Sequence, residues 1–197
     1  MTKHRSKQER RTQILRAAAS CFAEKGYYEA SMDDIVAASG LSKGSLYWYF
    51  KNKREVFRTL MDQWFEEIAI GFEEAFTTAE SPSDKVRAVF RIIETSAALR
   101  PELVRAQFEF LSFAIRDAEY AQWLQGMYGA IIGYFEAIVA EGVAAGRFRA
   151  VDANVFAWLI AACIDGVLLQ QQVLTEGPVQ PPSWPALADL LLALVET

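Results

Sequence analysis

The side chains best suited to chemistry in this sequence are hydrogen-bond donors gathered between residues 42 and 53. Ser42 is closely followed by a lysine, a glycine, a serine and three aromatic residues, namely Lys43, Gly44, Ser45, Tyr47, Trp48 and Tyr49. Ammonium and hydroxyl groups are the donors that proteins use toward phosphates and base edges, and a glycine lets a backbone come close to the bases. The segment therefore predicts contact with nucleic acid.

Residues that catalysis or metal binding would need are scarce. The one histidine, His4, lies in the N-terminal tail, and the sequence has no Cys-x-x-Cys pair, glycine-rich phosphate loop or His-Glu metal helix. Cys21 and Cys163 lie among apolar, helix-forming neighbours, which predicts two buried thiols in a reducing cytoplasm rather than a disulfide. We therefore expect no enzymatic activity, no metal and no cofactor.

Charge is distributed unevenly along the chain. The 197 residues carry a net charge of −5, yet residues 1–58 hold 12 Lys and Arg against 6 Asp and Glu. A basic end on an acidic body is typical of a protein that presents only one end to a polyanion. The alternative is a solvated tail, because much of the positive charge lies near the N-terminus. These residues, which could also form an arm into the minor groove, are Lys3, Arg5, Lys7, Arg10 and Arg11.

Two short helices and a tight turn must position the donors. Ser31 can cap a helix over 32–39 and Ser42 a second helix to about residue 50, with Gly40 supplying the backbone dihedral of the turn. Both can pack on a preceding helix over about 7–25. The packing residues are Ile35, Val36, Leu41 and Leu46. The outer face of the third helix is then free to lie in the DNA major groove.

The rest of the chain predicts further helices and no strands. Glycine and proline separate helical segments, and apolar residues rarely alternate at period two. The first helix should end at Gly26. Six more helices are expected at about 52–78, 82–99, 101–116, 120–145, 153–174 and 184–195. The predicted fold class is all-α with about nine helices.

The segment from Leu41 to Phe57, LSKGSLYWYFKNKREVF, closely resembles the DNA-binding motif of the TetR family of transcriptional repressors. The resemblance covers about residues 10–57, and beyond them it extends only to helix order and length. It implies a three-helix, helix-turn-helix DNA-binding domain over 1–52 and a helical effector-binding and dimerisation domain over 53–197. The implied function is a ligand-responsive regulator, most often a repressor, that binds a palindromic operator as a homodimer and is released by a small hydrophobic effector.

By position, the resemblance assigns DNA contacts to nine residues. The serines that open the second and third helices would meet phosphates, the start of the third helix would approach base edges, and its tyrosines would contact phosphate and sugar. Trp48 occupies a variable position, and the lysine that opens the fourth helix would meet a phosphate. The nine are Ser31, Ser42, Lys43, Gly44, Ser45, Tyr47, Trp48, Tyr49 and Lys53. Simpler roles remain open: caps for the serines, solvated charge for the lysines and packing for the tyrosines.

Met32 replaces a base-reading arginine of some relatives, which puts readout from the second helix in doubt.

The last two helices are strongly apolar and are expected to form the homodimer. The helix over 153–174 is apolar nearly all round, so more than one of its faces must be buried. In the TetR family the last two helices pair with their twofold mates. Small residues would allow close approach, namely Ala157, Ala161, Ala162 and Gly166. The alternative is a single core within a monomer.

Aromatic residues of the middle helices are the candidates for an effector pocket. Most must be core, but a subset could line an apolar cavity for a hydrophobic or aromatic molecule, such as a lipophilic drug or a fatty acyl compound. The chosen subset is Trp64, Phe108, Phe113, Tyr128, Phe135 and Trp158. Arg105, Glu109 or Asp165 could orient such a ligand.

The resemblance also implies how the effector would act. Binding in the body would tilt the long fourth helix and change the separation of the two recognition helices. The alternative function is a helix-turn-helix interaction module that does not bind DNA, and an enzyme is a much weaker candidate. No signal peptide or membrane span is expected, so we place the protein in the cytoplasm.

Overall fold

The computed structural model describes residues 6–197, apart from the side chain of Phe113, and this part of the chain is helical throughout its regular structure. Lys3 and Arg5 of the proposed arm, and the side chain of Phe113 from the proposed pocket, lie outside the described residues. The helices are α1 (Lys7–Glu29), α2 (Met32–Ser39), α3 (Lys43–Tyr49), α4 (Lys53–Thr78), α5 (Pro82–Leu99), α6 (Pro101–Ala114), α7 (Ala118–Ala144), α8 (Ala153–Val173) and α9 (Trp184–Ala193). The prediction of an all-α fold with about nine helices is confirmed.

Most helix bounds follow the sequence signals, and the departures have local causes. Gly26 breaks the regular helix as predicted, with φ 73° and ψ 171°, but a further turn follows before α1 ends at Glu29. The helix α7 begins two residues earlier than predicted because Asp117 caps it, accepting hydrogen bonds from the amides of Glu119 and Tyr120. The end of the chain leaves α9 at Ala193 and forms an isolated bridge with the segment before α8.

Contacts between residues divide the chain into two compact units, and the division falls inside α4 and α6. The first unit combines the chain up to Glu67 with Arg100–Leu111, and the second combines Ile68–Leu99 with Ser112–Thr197. Because α4 and α6 contribute to both units, this division differs from the boundary after residue 52, which stays a prediction.

Each unit has its own apolar core. In the first, α2 packs on α1 and α3 on α2, and the fully buried side chains include Ile14, Leu46, Phe50, Phe57 and Phe110. In the second, α7 packs on α8 and on α5, and α5 packs on α9. Its fully buried side chains include Phe90, Phe135 and Ile160.

The two cysteines are free thiols in different surroundings. Cys21 is buried in the first unit, as predicted, whereas Cys163 is only half-buried. Burial raises the pKa of both thiols. Both side chains therefore hold their proton more strongly than a free cysteine does.

Two helices in the described part of the chain, α7 and α8, are long and apolar enough to cross a membrane by length and composition alone. Core helices of soluble proteins pass the same test, and α7 and α8 pack on each other. The feature is therefore weak evidence for a membrane span.

Candidate DNA-binding site

A network of side-chain hydrogen bonds fixes the start of α2. The hydroxyl of Ser31 accepts from the amide of Asp34 at 3.1 Å, while the Asp34 carboxylate accepts from the amide of Ser31 at 2.8 Å and from its hydroxyl at 2.6 Å. Lys25 of α1 adds an ion pair to Asp34 at 2.6 Å. Ser31 is therefore a helix cap in this structure, and its phosphate contact stays a prediction.

Asp34 should make folding sensitive to acid. Its hydrogen bonds with Lys25 and Ser31 lower its pKa from 3.8 to about 2. A carboxyl with a lowered folded-state pKa stabilises the protein above its unfolded pKa, and this contribution is lost as the pH falls from about 4 toward 2. We expect Asp34→Asn to unfold more easily at neutral pH, and its free energy of unfolding to fall less steeply than that of the wild type below pH 4. Urea unfolding at pH 5, 4, 3 and 2.5 measures this, and parallel curves for the two proteins would contradict it.

The turn between α2 and α3 is closed by a buried serine that the sequence analysis did not single out. Gly40 adopts φ 65°, and its amide donates to the carbonyl of Val36. The buried hydroxyl of Ser39 donates to the same carbonyl and accepts from the amide of Leu41, while Gln13 of α1 donates to the carbonyl of Ser39 at 2.7 Å. The turn is thus tied to α1 through hydrogen bonds as well as through apolar packing.

Helix α3 presents its donors on the side opposite its buried anchor. Ser42 caps it by accepting from the amide of Ser45 at 3.2 Å, and Leu46 is completely buried. Lys43, Gly44, Tyr47 and Trp48 are exposed, while Ser45 and Tyr49 are half-buried. Trp48 is the most open of the aromatic side chains here, at 66% exposure. The structure therefore brings six of the nine proposed DNA-contacting residues together on one short helix.

Trp48 is held between two neighbours. Its ring lies 4.7 Å from that of Tyr49 in an edge arrangement, and the ammonium of Lys7 lies 5.0 Å from its centroid. A cation over an aromatic face is attracted by the ring quadrupole. Lys7, which the sequence analysis placed in a basic arm, therefore lies beside the face of α3.

Lys43 forms an exposed ion pair with Asp33 of α2. The two side chains approach to 2.7 Å, and both are more than 60% exposed. The hydrogen bond to Asp33 raises the pKa of Lys43, so the side chain keeps its charge at neutral pH. Exposed pairs of this kind contribute little to stability because water and salt screen them. Lys43 can therefore exchange Asp33 for a DNA phosphate or base at small cost.

Neutralising Asp33 should strengthen DNA binding. If Lys43 contacts DNA, Asp33→Asn removes its competitor and one negative charge beside it, so we expect affinity to rise roughly threefold to tenfold at low salt. Stability should change little. Fluorescence anisotropy with labelled operator at two salt concentrations measures the gain, with Glu176→Gln, an exposed loop position, as a control for net charge. Unchanged affinity at both salts would show that the pair does not compete with DNA.

The side chain of Lys53 is held by hydrogen bonds within its own chain. Its ammonium donates to the carbonyls of Tyr27 at 2.6 Å, Tyr28 at 2.9 Å and Ala30 at 2.6 Å. An ammonium has three protons, so all of its donors are used within the chain. Burial lowers the pKa of Lys53. Contact of this side chain with a phosphate stays a prediction, and it would require these bonds to break.

Comparison with known proteins gives the family. Residues 14–60 match the family model of bacterial regulatory proteins, tetR family, and residues 82–195 match the model of the BetI-type transcriptional repressor, C-terminal. The chain belongs to the TetR family of transcriptional regulators. It is a helix-turn-helix regulator and not an enzyme, and members of the family are dimeric DNA-binding proteins with small-molecule effectors.

Individual relatives agree with this TetR assignment. The HTH-type transcriptional regulator YfiR of Bacillus subtilis is 31% identical over 149 residues, which are 74% of this chain and 71% of that protein. A TetR transcription regulator from Haloarcula marismortui superposes with a TM-score of 0.85 at 16% identity, over 96% of this chain and all of that chain. A transcriptional regulator from Saccharomonospora viridis, solved in complex with choline, gives 0.83 at 17% identity, over 97% of this chain and all of that chain. At such identities the two structures show a shared TetR fold alone.

The aromatic residues proposed for the effector pocket of this TetR-family chain fall in both units. In the first unit, Trp64 is buried and lines a cleft of about 380 Å³ with Arg16 and Arg100, while Phe108 is half-buried. In the second unit, Phe135 is buried in the core and Trp158 is 52% exposed. Their assignment to an effector pocket stays a prediction. Because about half of the Trp158 side chain is exposed, a pocket lined by Trp158 would be open to solvent in the single chain.

Tyr128 and Asp165 form a half-buried polar pair in the second unit. The Tyr128 hydroxyl donates to the Asp165 carboxylate at 2.6 Å. Burial raises the pKa of Asp165, and the hydrogen bond from Tyr128 partly opposes this. The sequence analysis offered Glu109 as another orienting group. Glu109 instead accepts a hydrogen bond from the backbone of Tyr27 in the first unit.

The last two helices of this TetR-family chain expose an apolar face. On α8 and α9 the exposed large apolar side chains are Val155, Trp158, Leu159, Leu169, Val173 and Leu190, and Leu194, directly after α9, is also exposed. The structure corrects part of the prediction that small residues of α8 allow close approach of a partner helix. Ala157 and Ala161 are buried within their own chain, so only Ala162 and Gly166 remain open enough to approach a partner.

Proposed function

We propose that this TetR-family regulator represses transcription by binding a palindromic operator as a homodimer, and that a small hydrophobic effector releases it. The observation that carries the proposal is the outer face of α3, where Lys43, Tyr47 and Trp48 project from a helix anchored by buried Leu46. This face of donors and aromatic rings is exposed and is not part of the buried core. It is suited to phosphates, sugars and base edges in a major groove.

Each part of the helix-turn-helix domain, residues 1–52, would have its own contacts. Lys43, Gly44 and Ser45 at the start of α3 would approach base edges, and Tyr47 and Tyr49 would contact phosphate and sugar. Each neutralised phosphate should add about one unit to the salt dependence of binding. The exposed hydroxyls of the helix caps, Ser31 and Ser42, would add neutral phosphate contacts.

Dimerisation would proceed through the exposed apolar face of α8 and α9. A single short recognition helix makes few contacts, and two coupled copies reading half-sites about 34 Å apart supply the remaining affinity. Without a partner, the large apolar side chains that α8 and α9 expose would remain open to water. The half-buried Gly166 and exposed Ala162 would allow the partner helices to approach closely.

The effector would bind in the body, with aromatic side chains around it and the Tyr128–Asp165 pair as its polar anchor. A half-buried carboxylate favours ligands that bring a hydrogen-bond donor or a positive charge. The regulator from Saccharomonospora viridis was solved with choline, a cation, which supports this preference. We therefore favour a hydrophobic molecule with a donor or cationic group over a fatty acyl anion.

Release would follow from a shift between two conformations. The effector must bind the conformation that does not fit the operator more tightly than the one that does. We expect helix α4 to transmit the change from the effector to the recognition helix, because it is continuous from Lys53 to Thr78 and contributes residues to both units. The protein would act in the cytoplasm, where the operator and the effector meet.

Selection of DNA by the purified protein tests the proposal. A random duplex library and the sequence upstream of the gene itself would be incubated with full-length protein, and bound fragments sequenced. The expected result is one palindromic sequence, bound by a dimer with strong salt dependence. Compounds would then be screened for release of that fragment. Recovery of no preferred sequence, with equal weak binding to scrambled DNA, would favour the interaction-module function instead.

A further inference from the structure

Segment 26–30, which comprises the end of α1 after its break at Gly26 and the capping residue Ala30, is held by two charged side chains of opposite sign. At its start Gly26 has a left-handed backbone, and the amide of Tyr27 donates to the Glu109 carboxylate of α6 at 2.6 Å. The carbonyls of Tyr27, Tyr28 and Ala30 in the same segment accept hydrogen bonds from the ammonium of Lys53. An anion therefore holds an amide of this segment, and a cation holds three of its carbonyls.

Glycine at position 26 is what lets Glu109 come so close. A Cβ added at Gly26 would lie 2.8 Å from Oε1 of Glu109, and the positive φ of 73° also disfavours any side chain. The carboxylate thus packs directly on the backbone. Aromatic rings reinforce the contact, since Tyr27 lies 4.7 Å from Phe57 of α4 and 5.9 Å from Phe110 of α6, centroid to centroid.

We infer that Glu109 and Lys53 are positioning residues for DNA binding, which together fix the orientation of the helix-turn-helix relative to α4 and α6 within the first unit. The segment that they hold runs directly into Ser31, the cap of α2, and α3 follows α2 through a closed turn. We call the two side chains and segment 26–30 the backbone clamp. This inference rests on the proposed function, since it concerns how operator binding is set up.

Glu109 and Lys53 bind backbone groups at the end of α1, and this links that helix end to α6 and α4. The last carbonyls of a helix lack partners within it, and a cation usually supplied by the same helix can satisfy them. Here the cation comes from α4 and the matching anion from α6, so the orphaned groups of α1 become attachment points for two other helices. Both helices continue beyond the clamp into residues of the second unit, α4 to Thr78 and α6 to Ala114. A shift of either helix by an ångström or two would break these short hydrogen bonds.

The first test compares two alanine variants on one helix. Glu109→Ala removes the clamp anion, and Glu102→Ala makes the same charge change in the first turn of α6. If loosening lowers the binding-competent fraction to about one third in each subunit, a dimer loses roughly tenfold in operator affinity. We expect this loss for Glu109→Ala, no loss for Glu102→Ala, and substantial rescue by Glu109→Gln, which keeps an oxygen able to accept from Tyr27. Stoichiometric titration fixes the active concentration of each variant, so that misfolded protein is not counted.

The decisive readout is the preference for half-site spacing, which simple loss of stability does not change. Operators selected by the wild type would be lengthened or shortened by one base pair between half-sites. A loosened helix-turn-helix accommodates wrong spacings, so Glu109→Ala should discriminate less between them while keeping the wild-type salt slope. An affinity and a spacing preference equal to those of Glu102→Ala would overturn the inference.

Lys53→Met separates the clamp from a phosphate contact. A clamp residue leaves the salt slope unchanged when its charge is removed, and its effect is not additive with that of Glu109→Ala because both act on one segment. A phosphate contact lowers the slope by about one unit per subunit. A lowered slope would therefore overturn the role given to Lys53. If the wild type selected no DNA, the proposed function itself would be contradicted. If the wild type bound its operator and Glu109→Ala bound it equally well, only the clamp would be contradicted.

Discussion

Replacing Gly44 by alanine is expected to leave the folded protein at least as stable as the wild type while largely abolishing operator binding. A Cβ added at Gly44 has no atom within 4 Å in the free chain, so the substitution strains nothing. Alanine in place of glycine inside a helix stabilises it by about 0.5–1 kcal/mol, and the position near the start of α3 puts the expected gain at the lower end. The same methyl group would occupy space that the bases need when α3 lies in the groove.

The size of the binding loss follows from the dimer. Losing one base contact costs about 1–3 kcal/mol, and each complex contains two copies of α3. We therefore expect roughly a hundredfold weaker operator binding, or more, by anisotropy titration. Gly126→Ala is the matched control, because Gly126 is an exposed helical glycine of α7 that also has open space for a Cβ. Operator affinity for Gly44→Ala within a factor of two of this control would show that α3 does not approach the bases at Gly44.

The helix-turn-helix could be predicted closely because its signals are local. Ser31 and Gly40 lie next to the helix that they delimit, and α2 runs from Met32 to Ser39 as expected. A cap needs only a side-chain oxygen near the following amides, and a glycine needs only its own backbone freedom. Such features depend on neighbours within four residues, which the sequence displays directly.

The roles of charged side chains could not be predicted, because they depend on residues far away in sequence. The three carbonyls that accept from Lys53 lie 23 to 26 residues earlier in the chain, and nothing near Lys53 in the sequence indicates them. Glu109 contacts Tyr27 across 82 residues. Nothing in the local pattern of α6 distinguishes Glu109 from Glu102, and only the packing of α6 on the end of α1 does so.

The small residues of α8 show the same limit for an apolar helix. The helix is apolar on nearly every side, so its sequence does not reveal which face packs inside the chain. Ala157 and Ala161 turn inward, whereas Val155, Leu169 and Val173 remain exposed. The sequence therefore predicted that more than one face of this helix is buried, whereas the structure shows which of its apolar side chains remain exposed in the single chain.

Leu190→Glu is expected to convert the dimer into a monomer and thereby to weaken operator binding strongly. Leu190 of α9 is 62% exposed in the single chain and is one of the exposed apolar side chains through which we propose dimerisation. In a twofold dimer each substitution occurs twice, so two carboxylates would have to be buried in an apolar contact without partners. Sedimentation equilibrium at micromolar concentration measures the change in mass. Val179→Glu is the matched control, since Val179 is 64% exposed but lies in the loop before α9.

DNA binding by Leu190→Glu distinguishes loss of the dimer from damage to the fold. Two linked half-site contacts gain about 10²–10⁴ in affinity over one contact, and a monomer forfeits that gain. The variant should therefore bind the full operator about as weakly as a single half-site, whereas the wild type should prefer the full operator by at least a hundredfold. Because the helix-turn-helix lies in the other unit, half-site binding itself should survive. A Leu190→Glu protein that remains dimeric and keeps the preference for the full operator would show that the subunits join through a different surface.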